Sequence, residues 1–147
     1  MNFEMSGTRA VVIDRRANYE TNLVTEAVSK RGAQLTIVTS FASSVVNTGT
    51  SHAIFYSAEF PKRGIETLGG NVPVSVSNGS LTVRHGVTGR ETTLPCNFIV
   101  TAVHPKPRNE LLDMLKNYPP VKIAGDVVAP RSALEAFREG DRAGRTV

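Results

Sequence analysis

With 147 residues, the chain is expected to form one domain, burying roughly two thirds of its unfolded surface. A composition 40% hydrophobic and 20% charged excludes a disordered polymer, and no apolar run approaches the ~20 residues that cross a bilayer. The formal charge of +4 comes from dispersed basic residues among 13 acidic ones; without a basic run or an aromatic-rich basic strand, it argues against nucleic acid and suits an acidic protein partner or a phosphorylated cofactor.

Arg9-Ala-Val-Val-Ile-Asp14 reads as a buried strand, because β-branched residues follow one another without polar interruption. Residues 18–31 carry Leu23, Val24, Ala27 and Val28 at helical spacing, and Gly32 sits where a helix-ending glycine belongs. Gln34-Leu-Thr-Ile-Val-Thr39 is a second buried strand. Strand, helix and strand in this order predict a βαβ unit with parallel neighbours. Residues 41–57 mix Ser, Thr, Asn and Gly with apolar residues and read as a long functional loop or a surface that orders against something else. Residues 58–68 suggest a short helix, with Pro61 in its first turn and Gly69-Gly70 ending it.

Three short strands are expected next, over residues 72–77, 80–87 and 90–96, turning at Asn78-Gly79 and Thr88-Gly89. Asn-Gly between alternating segments signals a hairpin, so these strands form an antiparallel meander. Residues 97–103 return as an apolar run to the parallel sheet. Pro105 and Pro107 break the chain; residues 110–116 follow as a short amphipathic helix, 121–126 as a strand, and 130–142 as a final helix. No linker is long enough to separate domains.

This order resembles the pyridine-nucleotide domain of disulfide-reductase-like flavoproteins. The ending is more specific. Val121-Lys-Ile-Ala-Gly-Asp-Val-Val-Ala-Pro-Arg131, continuing through Arg145, is similar to the C-terminal signature of old-yellow-enzyme-type iron–sulfur flavoproteins, the 2,4-dienoyl-CoA reductase and trimethylamine dehydrogenase family. Residues 11–39 and the return strand with Thr101-Ala-Val103 resemble the same branch. The resemblance implies an α/β, Rossmann-like three-layer domain with a central parallel sheet and an antiparallel β-meander. Residues 1–103 would be the pyridine-nucleotide-domain-like part and 104–147 the family-like tail. It further implies a small accessory subunit of a flavin-dependent oxidoreductase, docked on a larger catalytic subunit that holds FMN and a 4Fe–4S cluster. The chain is too short for the family's TIM barrel of ~250 residues, has one cysteine, Cys96, and lacks the first glycine-rich unit. The expectation is a naturally separate subunit or an excised, reduced module. The partner expected is a larger flavoprotein subunit or a second copy, in the cytoplasm, with neither nucleic acid nor membrane. The alternatives are an independent NAD(P)- or FAD-binding oxidoreductase module, and a non-catalytic assembly scaffold.

The chemistry-bearing residues bear on this choice. A dinucleotide site needs G-x-G-x-x-G after the first strand, for a tight turn and close approach to the pyrophosphate. Here the turn reads Asp14-Arg-Arg-Ala-Asn-Tyr-Glu-Thr21, with no glycine, and the second strand ends Thr39-Ser40-Phe41, with no acid for a ribose hydroxyl. Arg15 and Arg16 are candidates for phosphate contact, or surface arginines facing solvent or a partner. In the resembled family the aspartate matching Asp126 approaches a flavin or ADP sugar. Gly125, Asp126, Ala129, Pro130 and Arg131 are therefore candidate contacts for FAD, ADP or NAD(P), none of which is certain in this chain. The plainer reading is a packing glycine and a turn-capping aspartate. His52, His85 and His104 are isolated, which argues against a metal. Cys96, Ser43, Ser44 and Ser77 lack the neighbours of a nucleophile.

Overall fold

The computed structural model describes residues 4–115, 117–118 and 120–146. It divides into two compact units, Met1–Val103 and His104–Val147.

The first unit is organised by strand β1, Arg9–Asp14. Successive strand residues point to opposite faces, and both faces of β1 are covered. Ala10 and Val12 enter one apolar cluster, Val11 and Ile13 another. Strand β2, Gln34–Thr39, repeats the arrangement, with Leu35 and Ile37 on the first side and Val38 on the second. Burial on both faces is why these strands read as continuous apolar runs. β1 and β2 pair in parallel from Arg9↔Gln34 to Asp14↔Thr39. Between them runs helix α1, Tyr19–Ser29, capped by the Asn18 side chain, which accepts from the Thr21 N–H. Gly32, at φ +88°, turns the chain from the helix into β2.

The loop after β2 is shorter than the sequence suggested. Helix α2 spans Thr50–Lys62, so its first half occupies residues expected to be loop, and Pro61 lies in the last turn rather than the first. Ile54 and Phe55 are exposed, which hides the inward Tyr56 and Phe60 from a periodicity count. Gly64, at φ +68°, ends the helix: its N–H donates to Pro61 O, and the Ile65 N–H reaches back to Phe60 O. This frees Glu66–Leu68 to form β3, a strand assigned to helix by the sequence pattern, parallel to β2.

The meander follows as β4, Asn71–Ser77, β5, Ser80–His85, and β6, Glu91–Pro95, with Asn78 and Gly79 both at positive φ in the first turn. β7, Phe98–Ala102, then pairs in parallel with β1. The parallel sheet has the order β3-β2-β1-β7, and the meander is a separate sheet of order β4-β5-β6. Leu81, Val83 and Cys96 of the meander region pack with Val11, Ile13 and Val38, while Tyr56 and Phe60 of α2 pack on the opposite side. The result is the expected three-layer, Rossmann-like α/β arrangement.

The second unit contains α3, Glu110–Met114, a 3-10 turn at Gly125–Val127, and α4, Ala133–Gly144. Lys116, the expected end of α3, lies outside the described residues. The strand expected over residues 121–126 does not form: residues 121–124 carry no strand pairing and lead into the turn. A strand needs a ladder partner, and this unit has no other strand among its described residues. The final helix starts at Ala133, three residues later than Pro130. None of the unit's described residues is buried.

One polar link joins α1 to α2 in the first unit. The Tyr56 hydroxyl donates to Glu26 Oε2 at 3.3 Å. The side-chain bond from Lys30 holds the Glu26 carboxyl below its ordinary range, helped by the charge of Lys30, the bond from Tyr56 and the charge of Arg63. Burial pushes the Tyr56 phenol up, reinforced by the Glu26 charge. The folded state therefore holds the phenol proton more tightly than the unfolded chain does. That stabilisation is complete below the ordinary phenol value of 10.0 and is lost as pH rises through the folded value. A thermal-unfolding series above pH 10 should show declining stability in the native protein, with Tyr56→Phe flattening the decline; equal slopes in both would remove Tyr56 as its cause.

Candidate functional site

In an open parallel sheet, ligands bind outside the carboxyl ends of the strands, where the strand order reverses. Here that place lies between β1 and β7, at the turn from β1 into α1. Asp14 ends β1 and is completely buried. Its Oδ1 accepts the Arg16 N–H at 2.9 Å and the Ala17 N–H at 2.8 Å. Ala17 makes the turn at φ +49°, a left-handed conformation that normally favours glycine. Backbone N–H groups before a helix would otherwise be available to a phosphate. In this turn two of them hold a carboxylate of the same chain.

The loop after β2 closes the turn from its other side. The Asn47 N–H donates to Ala17 O at 2.9 Å, and Asn47 Nδ2 to Arg16 O at 2.8 Å. Asn22 Nδ2, in the first turn of α1, donates to Thr48 Oγ1 at 2.9 Å. Asp14 Oδ2 and Asn22 Oδ1 are buried acceptors with no partner among the described residues. The buried Asp14 carboxylate beside these N–H groups opposes a second anion electrostatically. The Thr39 hydroxyl ending β2 accepts the Phe41 N–H, and no carboxylate stands there for a ribose. The residues present do not fit a dinucleotide pyrophosphate.

Of the two arginines singled out in this turn, Arg16 is committed. Its guanidinium pairs with Glu20 at 3.1 Å on the first turn of α1. Arg15 is exposed, and its backbone N–H continues the ladder to Ala102 O.

The candidate residues of the tail lie in the second unit, and two of them, Gly125 and Arg131, meet on a residue that sequence reasoning missed. Glu139 of α4 accepts the Gly125 N–H at 2.8 Å through Oε2 and pairs with the Arg131 guanidinium through Oε1. Arg131 Nε also donates to Ala129 O. Gly125 is at φ +71°, with Ala136 of α4 3.5 Å from where a Cβ would stand. Glu139 thus fastens the Gly-Asp turn to the final helix, and Arg131 is spent on that clamp. Asp126 is exposed. Glu139 is 14 residues from Gly125, so no periodic signal marks the pair.

The remaining reactive side chains are placed as packing groups or singly. Cys96 is buried among Leu81, Val83 and Ile99. His52 lies against Tyr19, with ring centroids 4.6 Å apart. Among the described residues, no three His, Cys, Asp or Glu side chains come together as metal ligands, and no helix is long and apolar enough to cross a membrane.

The chain's likeness to known proteins lies in its structure. No protein-family model matches the sequence, and no curated protein matches it. Histamine dehydrogenase from Rhizobium sp. 4-9 superposes with a TM-score of 0.83 at 22% identity, over 98% of this chain and 24% of that one. The 6-hydroxypseudooxynicotine amine oxidase from Pseudomonas geniculata N1 gives 0.80 at 22% identity, over 92% and 21%. Thioredoxin reductase from Lactococcus lactis gives 0.69 at 16% identity, over 96% and 53%. At these identities the likeness establishes the fold. The chain spans about a quarter of the first two proteins and half of the third.

The turn after β1 can be tested by substitution. Asp14→Ala strands the buried Ala17 N–H and should cost about 1–3 kcal/mol. Asp14→Asn keeps an acceptor and should cost less than Ala. Urea unfolding of both variants reads this directly; an Asp14→Ala protein as stable as the parent would show that the carboxylate does not hold the turn.

Proposed function

We propose that the chain is a non-catalytic accessory module of a flavin-dependent oxidoreductase, docked on a larger catalytic polypeptide that carries FMN and a 4Fe–4S cluster. The observation that carries this reading is the second unit. It forms a 12-residue helix, yet none of its described residues is buried. Leu134 and Phe137 of α4 are 55% and 77% exposed, and Val121, Ile123 and Val128 are also exposed. A unit of this size without a core does not hold a fold alone, and this many exposed apolar side chains suit a unit that another protein covers.

Two further features support the reading. Residues 121–124 have strand-like composition without a ladder, as expected of a segment that completes a sheet elsewhere. Solved proteins that share this fold are, by name, a dehydrogenase, an oxidase and reductases, and the matched region is about a fifth to a half of their length. The turn after β1 counts against an independent NAD(P) or FAD module, because its N–H groups are already occupied. In the docked state Asp126, exposed and next to the Glu139 clamp, is the residue of this chain offered to a nucleotide held by the partner.

Purification of the full chain from its own host, followed by native mass spectrometry, tests the proposal. The expected result is a complex with one larger chain that carries flavin mass, released by Phe137→Asp without loss of the circular-dichroism signal. A monomer free of flavin, with no larger chain bound in host extract, would contradict it.

A further inference from the structure

The meander holds a second feature that this reading does not use. On β5, Leu81, Val83 and His85 face the parallel sheet in turn; the first two are fully buried, and the third ends the row as a polar residue. On β6, Leu94 lies opposite Leu81 and Thr92 opposite Val83. The seam between the two sheets therefore changes from aliphatic to polar toward the Gly69-Gly70 turn. There it opens into a crevice of about 350 Å³, lined by Leu68, Asn71, His85, Thr88, Arg90 and Thr92. Ligand pockets begin near ~300 Å³, so a small molecule fits.

The lining is rich in donors and contains no carboxylate. The neighbouring Glu91 is engaged by Arg84, at 2.7 Å from Nη2 and 3.0 Å from Nε. Arg90 has no ion-pair partner among the described residues. His85 is fixed by its surroundings: Nδ1 accepts the N–H groups of Val87 at 3.3 Å and Thr88 at 3.2 Å, which leaves Nε2 to carry the ring proton. Nε2 lies beside Gly70, whose missing Cβ would come within 3.1 Å of it. The turn is stiffened by bonds from His85 N to Arg90 O, Gly89 N to His85 O and Gly86 N to Gly70 O. A guanidinium, an imidazole N–H and two threonine hydroxyls beside Leu68, with the Asn71 amide held to Gly69 O at 2.8 Å, match an oxyanion on a small apolar body.

We propose that this crevice is a binding site for a small oxyanionic ligand, a phosphate ester or a carboxylate, with Arg90 as its main charge partner and Leu68 as the wall for its apolar part. It is distinct from the filled turn after β1 and does not rest on the proposed function.

The test is amide chemical-shift titration of the full chain with inorganic phosphate and, separately, with benzoate, each against sodium chloride at equal ionic strength. Saturable shifts confined to the segment from Gly70 and from His85 to Thr92 are expected for at least one probe, with dissociation constants on the order of millimolar. Response to phosphate alone would point to phosphate esters, and response to benzoate to carboxylates. Arg90→Gln should weaken binding roughly tenfold while leaving the remaining spectrum in place, and Thr92→Val should weaken it less. No saturation with either probe, or an affinity unchanged in Arg90→Gln, would overturn the proposal.

Discussion

A Rossmann-like turn must reverse the chain between a buried strand and a helix within a few residues, and here it does so without glycine. The Asp14 carboxylate makes this possible. By accepting the N–H groups of Arg16 and Ala17, it holds Ala17 in a left-handed conformation that alanine would otherwise avoid, and it sets Asn18 in place to cap α1. Asn47 and Thr48 then fasten the loop after β2 onto the same turn. The polar groups that a dinucleotide would meet in this fold are thereby engaged within the protein. The same interaction that shapes the turn removes its use as a phosphate cradle.

Strands β1 and β2 were legible in the sequence because burial on both faces leaves a β-branched apolar signature, and the edge strand β7 was legible from its apolar run Phe98-Ile-Val100 although none of its residues is fully buried. The meander was legible because Asn78-Gly79 fixes a hairpin by backbone geometry. The segment from Phe41 to Leu68 was not, since α2 exposes Ile54 and Phe55 and holds Pro61 in its last turn, contrary to the usual position of proline. β3 was hidden for a related reason: three residues are too few to show a period. The tail misled differently. Residues 121–124 have the composition of a strand, but a strand is defined by its neighbour, and no neighbouring strand stands among the described residues of its unit.

The candidate site was only half legible. The missing glycines could be read directly, and so could the lack of an acid after β2. The internal carboxylate that replaces the phosphate could not, because an aspartate at a strand end is equally compatible with an exposed turn. Glu139 left no trace at all, since its partners Gly125 and Arg131 are brought to it by the turn between them. Its clamp gives the Gly-Asp-x-x-Ala-Pro-Arg pattern a structural cause within this chain. The two units differ in kind: the first has a two-sided core, and the second has a locally fastened turn and helix with apolar side chains left outward.

The most direct test is a titration of the full chain with NADH and with ADP, followed through the amide signals of residues 15–18. If the Asp14 carboxylate occupies the phosphate niche, these signals stay in place up to millimolar nucleotide. Saturable movement of the same signals at micromolar concentration would contradict the account, because it would show that a dinucleotide can enter the turn that the structure shows filled.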